Sequence, residues 1–225
     1  MLRSVTPNDS PRMLLLDTCG DPARVGLSHG ERVIAERSVT GRSASAAIVG
    51  VVRELIKTQR WKLTDLNGVG VVSGPGSFTG VRTGLAAAKG MCEAAGLRLV
   101  MVSRLEVLAR GSGLREGFAV LGAGRKDLYV RHQQAGGASE AMSTIDDLLC
   151  MGKGADVVVA EPAMAELLRE LRPRVHELSI GDAVIPLCEA WRHGDIDLAA
   201  ADANYVRRES ELYVRQGTDV SGSVR

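Results

Sequence analysis

The segment Gly74-Pro75-Gly76-Ser77-Phe78-Thr79-Gly80-Val81-Arg82-Thr83-Gly84 constrains this chain more than any other. An apolar run over 69–72 leads into it, and Leu85-Ala86-Ala87-Ala88-Lys89-Gly90-Met91 follows. The order reads as strand, tight glycine loop, helix. Glycines at 74, 76 and 80 permit positive φ and close backbone approach. Pro75 fixes one φ between two of them, and Ser77 or Thr79 can cap the helix. Such loops often hold phosphate, because exposed N–H groups and the helix dipole favour an anion. The familiar phosphate patterns fail here, however. Thr79 follows Gly74 by five residues with no lysine after it, so this is not a P-loop. The dinucleotide spacing G-x-G-x-x-G is exceeded by one residue, with Phe78 inside. A tight strand-to-helix turn with no ligand is the other reading of the same glycines.

Turn and periodicity signals order the rest of the chain. Residues 1–12 read as a flexible extension. Strands are expected over 13–17, 23–28 and 32–39, a helix over 43–57 and a strand over 69–72. A helix from Thr79 or Gly80 to Ala95 is stopped by Gly96. A strand over 97–102 and a short helix over 105–110 complete a βββαβαβα order, a mixed sheet with helical crossovers. Gly111-Ser112-Gly113 marks a boundary, giving a first lobe over 13–112 and a smaller α/β lobe over 113–216. In the second lobe, 118–122 and 128–133 form a hairpin around Arg125-Lys126, and 134–139 reads as a polar loop. Further elements are a strand over 157–160, a helix over 164–171 begun by Pro162, a short strand over 175–178 and a helix over 185–193. Pro186 falls in the first turn of that last helix, where proline is tolerated. Residues 217–225 read as a disordered tail.

Composition excludes several classes. The 28 basic and 27 acidic residues nearly cancel, so no basic surplus marks an independent RNA binder. Cys19, Cys92, Cys150 and Cys188 form no C-x-x-C pair and fit a reducing cytoplasm better than a disulfide framework. Residues 1–12 lack the apolar stretch of a signal peptide, and no run approaches the ~20 apolar residues of a membrane helix.

Two helices carry little polar surface. From Val81 to Ala95 only Arg82, Thr83, Lys89 and Glu93 interrupt apolar or small residues. Gly84 and Ala88 share a face, with Met91 near it. On the earlier helix, Ala44, Ala47, Ile48, Val51 and Leu55 line one broad face, which Val49, Val52 and Ile56 extend. A sheet-packed helix usually buries only one stripe. The surplus is therefore read as a protein-docking face, unless the second lobe covers it or the alanines serve only helix propensity.

Catalytic patterns are lacking. His29, His132, His176 and His193 are scattered, and Glu189 and His193 form an ordinary i,i+4 surface pair. Ser77 has no assigned base and is explained by capping. Asp17, with Thr18, ends the first strand where kinases of one α/β class place an acidic residue. Turn chemistry explains it as a structural or vestigial group.

The motif G-P-G-S-F-T-G-V-R-x-G, over Gly74–Gly84, resembles the signature of the TsaB (YeaZ) family. Three looser matches support it. Leu14-Leu15-Leu16-Asp17-Thr18 is similar to the family's L-x-I-D-T opening. Gly124-Arg125-Lys126-Asp127-Leu128-Tyr129 is similar to D-A-R-x-G-E-V-Y, and Asn204-Tyr205-Val206-Arg207 to P-x-Y-L-R. The resemblance implies an actin/Hsp70/sugar-kinase-like (ASKHA) fold of two lobes with mixed sheets, the second reduced. It also implies a cytoplasmic, non-catalytic subunit without a cofactor of its own. That subunit would pair with a homologous TsaD-like transferase in tRNA threonylcarbamoyladenosine modification. A TsaE-like ATPase is a third member, tRNA is met through the complex, and ATP and a metal belong to the partners. Family members pair with themselves or with the catalytic subunit, so homodimer and monomer both stay open for the chain alone. The chain departs from the family at Ser43-Ala44, where many members have His-Ser, and at Gly122-Ala123-Gly124-Arg125, which replaces D-A-R. A different class stays open: an ATP-dependent small-molecule kinase or ATPase using Asp17 and the Gly74 loop. A peptidase stands third, with no histidine pair or triad.

Overall fold

The computed structural model describes residues 10–41, 44–124, 127–194, 196–204 and 206, with the side chains of 44–46 left aside. Readings that fall on 1–9, Ser43, Arg125-Lys126, Tyr205 and 207–225, and on the Ala44 side chain, lie outside the described residues.

The first sheet contains β1 (Arg12–Asp17), β2 (Ala23–His29), β3 (Arg32–Val39), β4 (Gly68–Val72) and β5 (Arg98–Val102). Their order is β3-β2-β1-β4-β5, with β1–β3 antiparallel and β4 and β5 parallel to β1. Helix α1 (Ala44–Thr58) precedes β4, α2 (Phe78–Ala95) links β4 to β5, and α3 (Arg104–Gly111) follows. Central strand β1 is buried on both faces and reads as an unbroken apolar run. Leu14 and Leu16 point to one side, where α1 and α2 pack through Ile48, Val52, Leu55, Leu85 and Ala88. Met13 and Leu15 point to the other, against Leu105, Leu108, Leu187 and Trp191.

The second sheet repeats the first plan. Strands β6 (Gly117–Gly124), β7 (Asp127–Gln134) and β8 (Gly137–Thr144) form an antiparallel meander. Strand β9 (Val157–Val159) runs parallel to β6, and β10 (Arg174–Val175) parallel to β9. The order β8-β7-β6-β9-β10 matches β3-β2-β1-β4-β5 position for position. Helices α4 (Ile145–Met151) and α5 (Pro162–Leu167) cover its outer face through Leu148 and neighbouring apolar groups. The last helix, α6 (Val184–His193), packs on β4 and β5 of the first sheet, with Leu187 pressed against Gly70, and α3 lies against the second sheet.

Three expectations need correction. Residues 134–139 are not a loop, because Gly137 opens β8 as an edge strand on β7. Its Gly-Ala-Ser-Glu-Ala start has weak strand propensity, so pairing along β7 decides its state. The helix expected over 164–171 stops at Leu167 and continues as one 3-10 turn over Arg169–Leu171. The strand expected over 175–178 is instead the two-residue β10, Arg174–Val175. Helix α4 gave no strong signal, being seven residues long, but Thr144 caps it by accepting from the Asp147 N–H.

Candidate functional site: the signature loop and the α1–α2 face

The signature loop ends β4 and opens α2. Ser77 is the N-cap, its Oγ accepting from the Gly80 N–H at 3.3 Å, and Gly96 closes the helix at φ 64°. The Gly74–Pro75 peptide is cis, and the Gly74 carbonyl accepts from the Arg104 N–H at 2.6 Å. Against the loop lies the turn after β1. Asp17 is buried, and its Oδ1 accepts from the Cys19 N–H at 3.0 Å, an Asx turn. The Arg24 guanidinium stands 3.9 Å from Asp17 Oδ2. Thr18 Oγ1 donates to the Gly80 carbonyl at 2.7 Å, and the Ser77 N–H donates to the Cys19 carbonyl at 2.7 Å.

This packing explains the glycines. A Cβ at Gly76 would collide with the Cys19 carbonyl, one at Gly80 with the Thr18 carbonyl, and one at Gly84 with Thr18 Oγ1. The backbone that approaches the loop is therefore the chain's own first turn. One amide at the helix start, that of Ser77, is already taken by Cys19, so phosphate would have to displace it. The cleft beside this turn, about 370 Å³, sets Arg24 and Arg104 against Asp21, Glu161 and Glu177. Its charges are mixed, unlike the cationic lining phosphate favours. Among the described residues no group of three or more His, Cys, Asp or Glu could hold a metal ion.

The tip of the loop faces outward. Phe78 is 56% exposed, and the Arg82 guanidinium lies 3.6 Å from its ring centroid. Thr79 is also exposed, whereas Pro75 and Val81 are buried.

The docking face expected on α1 and α2 is corrected in its membership. Ile48, Leu55, Gly84 and Ala88 are buried in the core of the first sheet, and Ala47, Val51 and Met91 are half-buried. Helical spacing identified the apolar stripe, but that stripe is what the sheet takes. The outward side of α2 instead presents Ala86, Gly90 and Ala94, with Val49 and Gly50 exposed on α1. A Cβ at Gly90 or Gly50 would meet nothing within 4 Å.

Sequence reading also passed over a polar hub. Glu140 on β8 accepts from Ser103 Oγ at 2.8 Å, from Asn204 Nδ2 at 3.1 Å and from Arg131 at 2.9 Å. Ser103 caps α3, and the Asn204 N–H donates to the Ser73 carbonyl just before the loop. The hub thus ties the second sheet to the loop's base. No spacing signal joins residues 37 and 64 apart. Glu140→Ala should lower stability by about 2 kcal/mol in denaturant unfolding, since it removes the carboxylate partner of the half-buried Arg131 and leaves it only side-chain amide contact with Gln133. Glu140→Gln, which keeps acceptors for Ser103 and Asn204, should cost less. Glu189, read from sequence as a partner of His193, instead bonds its carboxylate to Arg110, while His193 Nδ1 sits 2.7 Å from the Glu189 carbonyl.

Three thiols are buried and one, Cys150, is exposed. Burial, aided by the Asp17 carboxylate, pushes Cys19 well above the usual thiol range. Burial also pushes Cys92 up to about 12 and Cys188 up to about 11. One fast-labelling thiol per chain is expected with a thiol reagent at pH 8, and Cys150→Ser should abolish it. The raised values also fix a sign. Between the unfolded thiol value near 9.0 and these folded values, the folded state binds more protons, so stability is full below pH 9 and declines above it. Chemical denaturation at pH 8, 9 and 10 should show that fall, and Cys92→Ala should flatten it.

The family model described as TsaD, tRNA N6-adenosine threonylcarbamoyltransferase, matches residues 35–170, more than half of the chain. The chain belongs to this family. Among curated relatives, the tRNA threonylcarbamoyladenosine biosynthesis protein TsaB of Escherichia coli strain K12 is 34% identical over 106 residues, 47% of this chain and 46% of that one. TsaB of Haemophilus influenzae is 27% identical over 100 residues, 44% of this chain and 42% of that one. The match thus spans less than half the length of these relatives. YeaZ from Pseudomonas aeruginosa superposes with TM-score 0.69 at 22% identity, covering 87% of this chain and all of that one. A P. aeruginosa protein described as similar to peptidase YeaZ gives TM-score 0.72 at 22% identity, over 88% and 100%. The ethanolamine utilization protein EutJ from Carboxydothermus hydrogenoformans gives 0.51 at 13% identity, over 83% and 92%. Together these establish the TsaB (YeaZ) assignment and the ASKHA-like fold. No described helix of this TsaB-family chain is long and apolar enough to cross a membrane.

Proposed function

We propose that this chain is a non-catalytic subunit in the threonylcarbamoylation of tRNA adenosine, acting by pairing with a homologous catalytic transferase. The partner moves a threonylcarbamoyl group from its adenylate onto the adenosine next to the anticodon. Metal and ATP chemistry belong to that partner and to an ATPase subunit, tRNA is met through the complex, and the compartment is the cytoplasm. Kinship with TsaB supports the pathway. The observation that carries the helper role is the filled signature loop. Its glycines admit the Thr18-Cys19 turn, and Ser77 donates to Cys19. The kinase alternative gains no support there.

The contact would be made by the outward side of α2. Ala86 and Gly90 are four residues apart and exposed, so a partner helix can approach the backbone closely. Phe78 with Arg82 lies at the same helix's start, and aromatic and arginine side chains are frequent interface anchors. Light scattering on a mixture of this chain and its catalytic homologue should show a stable 1:1 complex. Two separate species at micromolar concentration would contradict the pairing.

A further inference from the structure

We propose that the cleft between the two lobes binds a free aliphatic α-amino acid in its zwitterionic form. This goes beyond the pairing proposed above and does not depend on it.

The cleft of about 370 Å³ opens beside the turn after β1. The first lobe brings Arg24 and Arg104 to it, and the second brings Glu161 and Glu177. The cations lie deeper than the carboxylates. Arg24 and Arg104 are half-buried, whereas Asp21, Glu161 and Glu177 are exposed at the mouth.

The two arginines differ in what they hold. Arg24 is occupied: its Nη1 donates to the Pro22 carbonyl at 3.4 Å and stands 3.9 Å from Asp17 Oδ2. The Arg104 guanidinium lies against Gly20, where a Cβ would come within 2.8 Å of Nη2. Its Nε is buried with no acceptor, and the guanidinium forms no ion pair among the described residues. Glu161 and Glu177 likewise reach no cation among the described residues. A buried donor is rarely left unpaired in a folded protein. Here one cation and two carboxylates share a cleft without meeting, so the group that satisfies them must carry both charges.

Other ligands satisfy only part of this lining. A simple carboxylic acid would pair with Arg104 but gives the mouth nothing. A polyamine would meet the mouth and leave Arg104 unpaired. A nucleotide would bring its phosphates toward three carboxylates. An α-amino acid enters carboxylate first and pairs with Arg104 in the bidentate manner guanidinium favours. Its ammonium then lies towards Glu161 and Glu177. Leu178 and Val175, with Pro22 and Pro162, wall the cleft with apolar surface suited to an aliphatic side chain.

The test is calorimetric titration of the full chain with L-leucine, leucinamide, N-acetyl-leucine and Mg-ATP. Saturable binding of leucine is expected. Each leucine derivative lacks one of the two charges and should bind at least tenfold more weakly. Arg104→Gln should weaken leucine binding at least tenfold. So should the double variant E161Q/E177Q, whose exposed positions keep the test open if Arg104→Gln fails to fold. No binding of leucine, equal binding of N-acetyl-leucine, or unchanged binding in E161Q/E177Q would overturn the proposal. Tighter binding of Mg-ATP than of leucine would overturn it in favour of the kinase reading.

Discussion

Ala88→Glu should strongly destabilise this chain, whereas Ala86→Glu, two residues earlier on the same helix, should leave its stability nearly unchanged and remove its pairing. Ala88 has no exposed surface and packs with Leu14, Leu16, Ile48 and Leu85 between α2 and the first sheet. A carboxylate there has neither water nor a cation within that cluster, and burying an uncompensated charge costs about 3–5 kcal/mol. For a domain of this size that is a fall of roughly 6–20 °C in melting temperature, and a large share of the usual ~5–15 kcal/mol margin. Ala86 faces solvent, so glutamate there changes stability by no more than about 0.5 kcal/mol. It would nonetheless put a charge where a partner helix must lie close. Thermal melts and light scattering with the catalytic homologue check both halves. Unimpaired pairing by folded Ala86→Glu would show that the outward side of α2 is not the contact.

Gly80→Ala should destabilise by about 3 kcal/mol, against the direction that helix propensity predicts. In an open helix the change gains up to ~1 kcal/mol. At position 80 the new methyl would run into the Thr18 carbonyl, held where Thr18 Oγ1 already donates to the Gly80 carbonyl. Overpacking against backbone has no flexible end to yield. Gly90→Ala is the internal control: it lies in the same helix with open space beyond, so it should be neutral or stabilising. Urea unfolding of the two variants should move the midpoint in opposite directions. Matching behaviour would mean that the glycines serve only the turn.

The first sheet was legible because its signals are local. Strand β1 is a run of four apolar residues ended by Asp17, α2 begins at a serine cap, and Gly96 stops it with a left-handed turn. Even the repeat of the same strand order was half visible, in the hairpin of β6 and β7. Its third strand was not, since the Gly-Ala-Ser-Glu-Ala start of Gly137–Thr144 has weak strand propensity and gains its state from β7. The docking face failed for a related reason. Helical spacing finds the apolar stripe but does not say whether a sheet or a partner takes it, and here Ile48, Leu55 and Ala88 go to the sheet. The Glu140 hub joins residues from three distant segments, so only the folded chain brings it together.

The helper role is tested most directly by reconstituted tRNA threonylcarbamoylation. The assay combines the enzyme that forms threonylcarbamoyl-adenylate, the ATPase subunit and the catalytic homologue from the same source. It is run with this chain, without it, and with it in place of the catalytic homologue. Modification only when both homologues are present is the predicted result. Modification by this chain in the absence of the catalytic homologue, or full activity without this chain, would contradict the account.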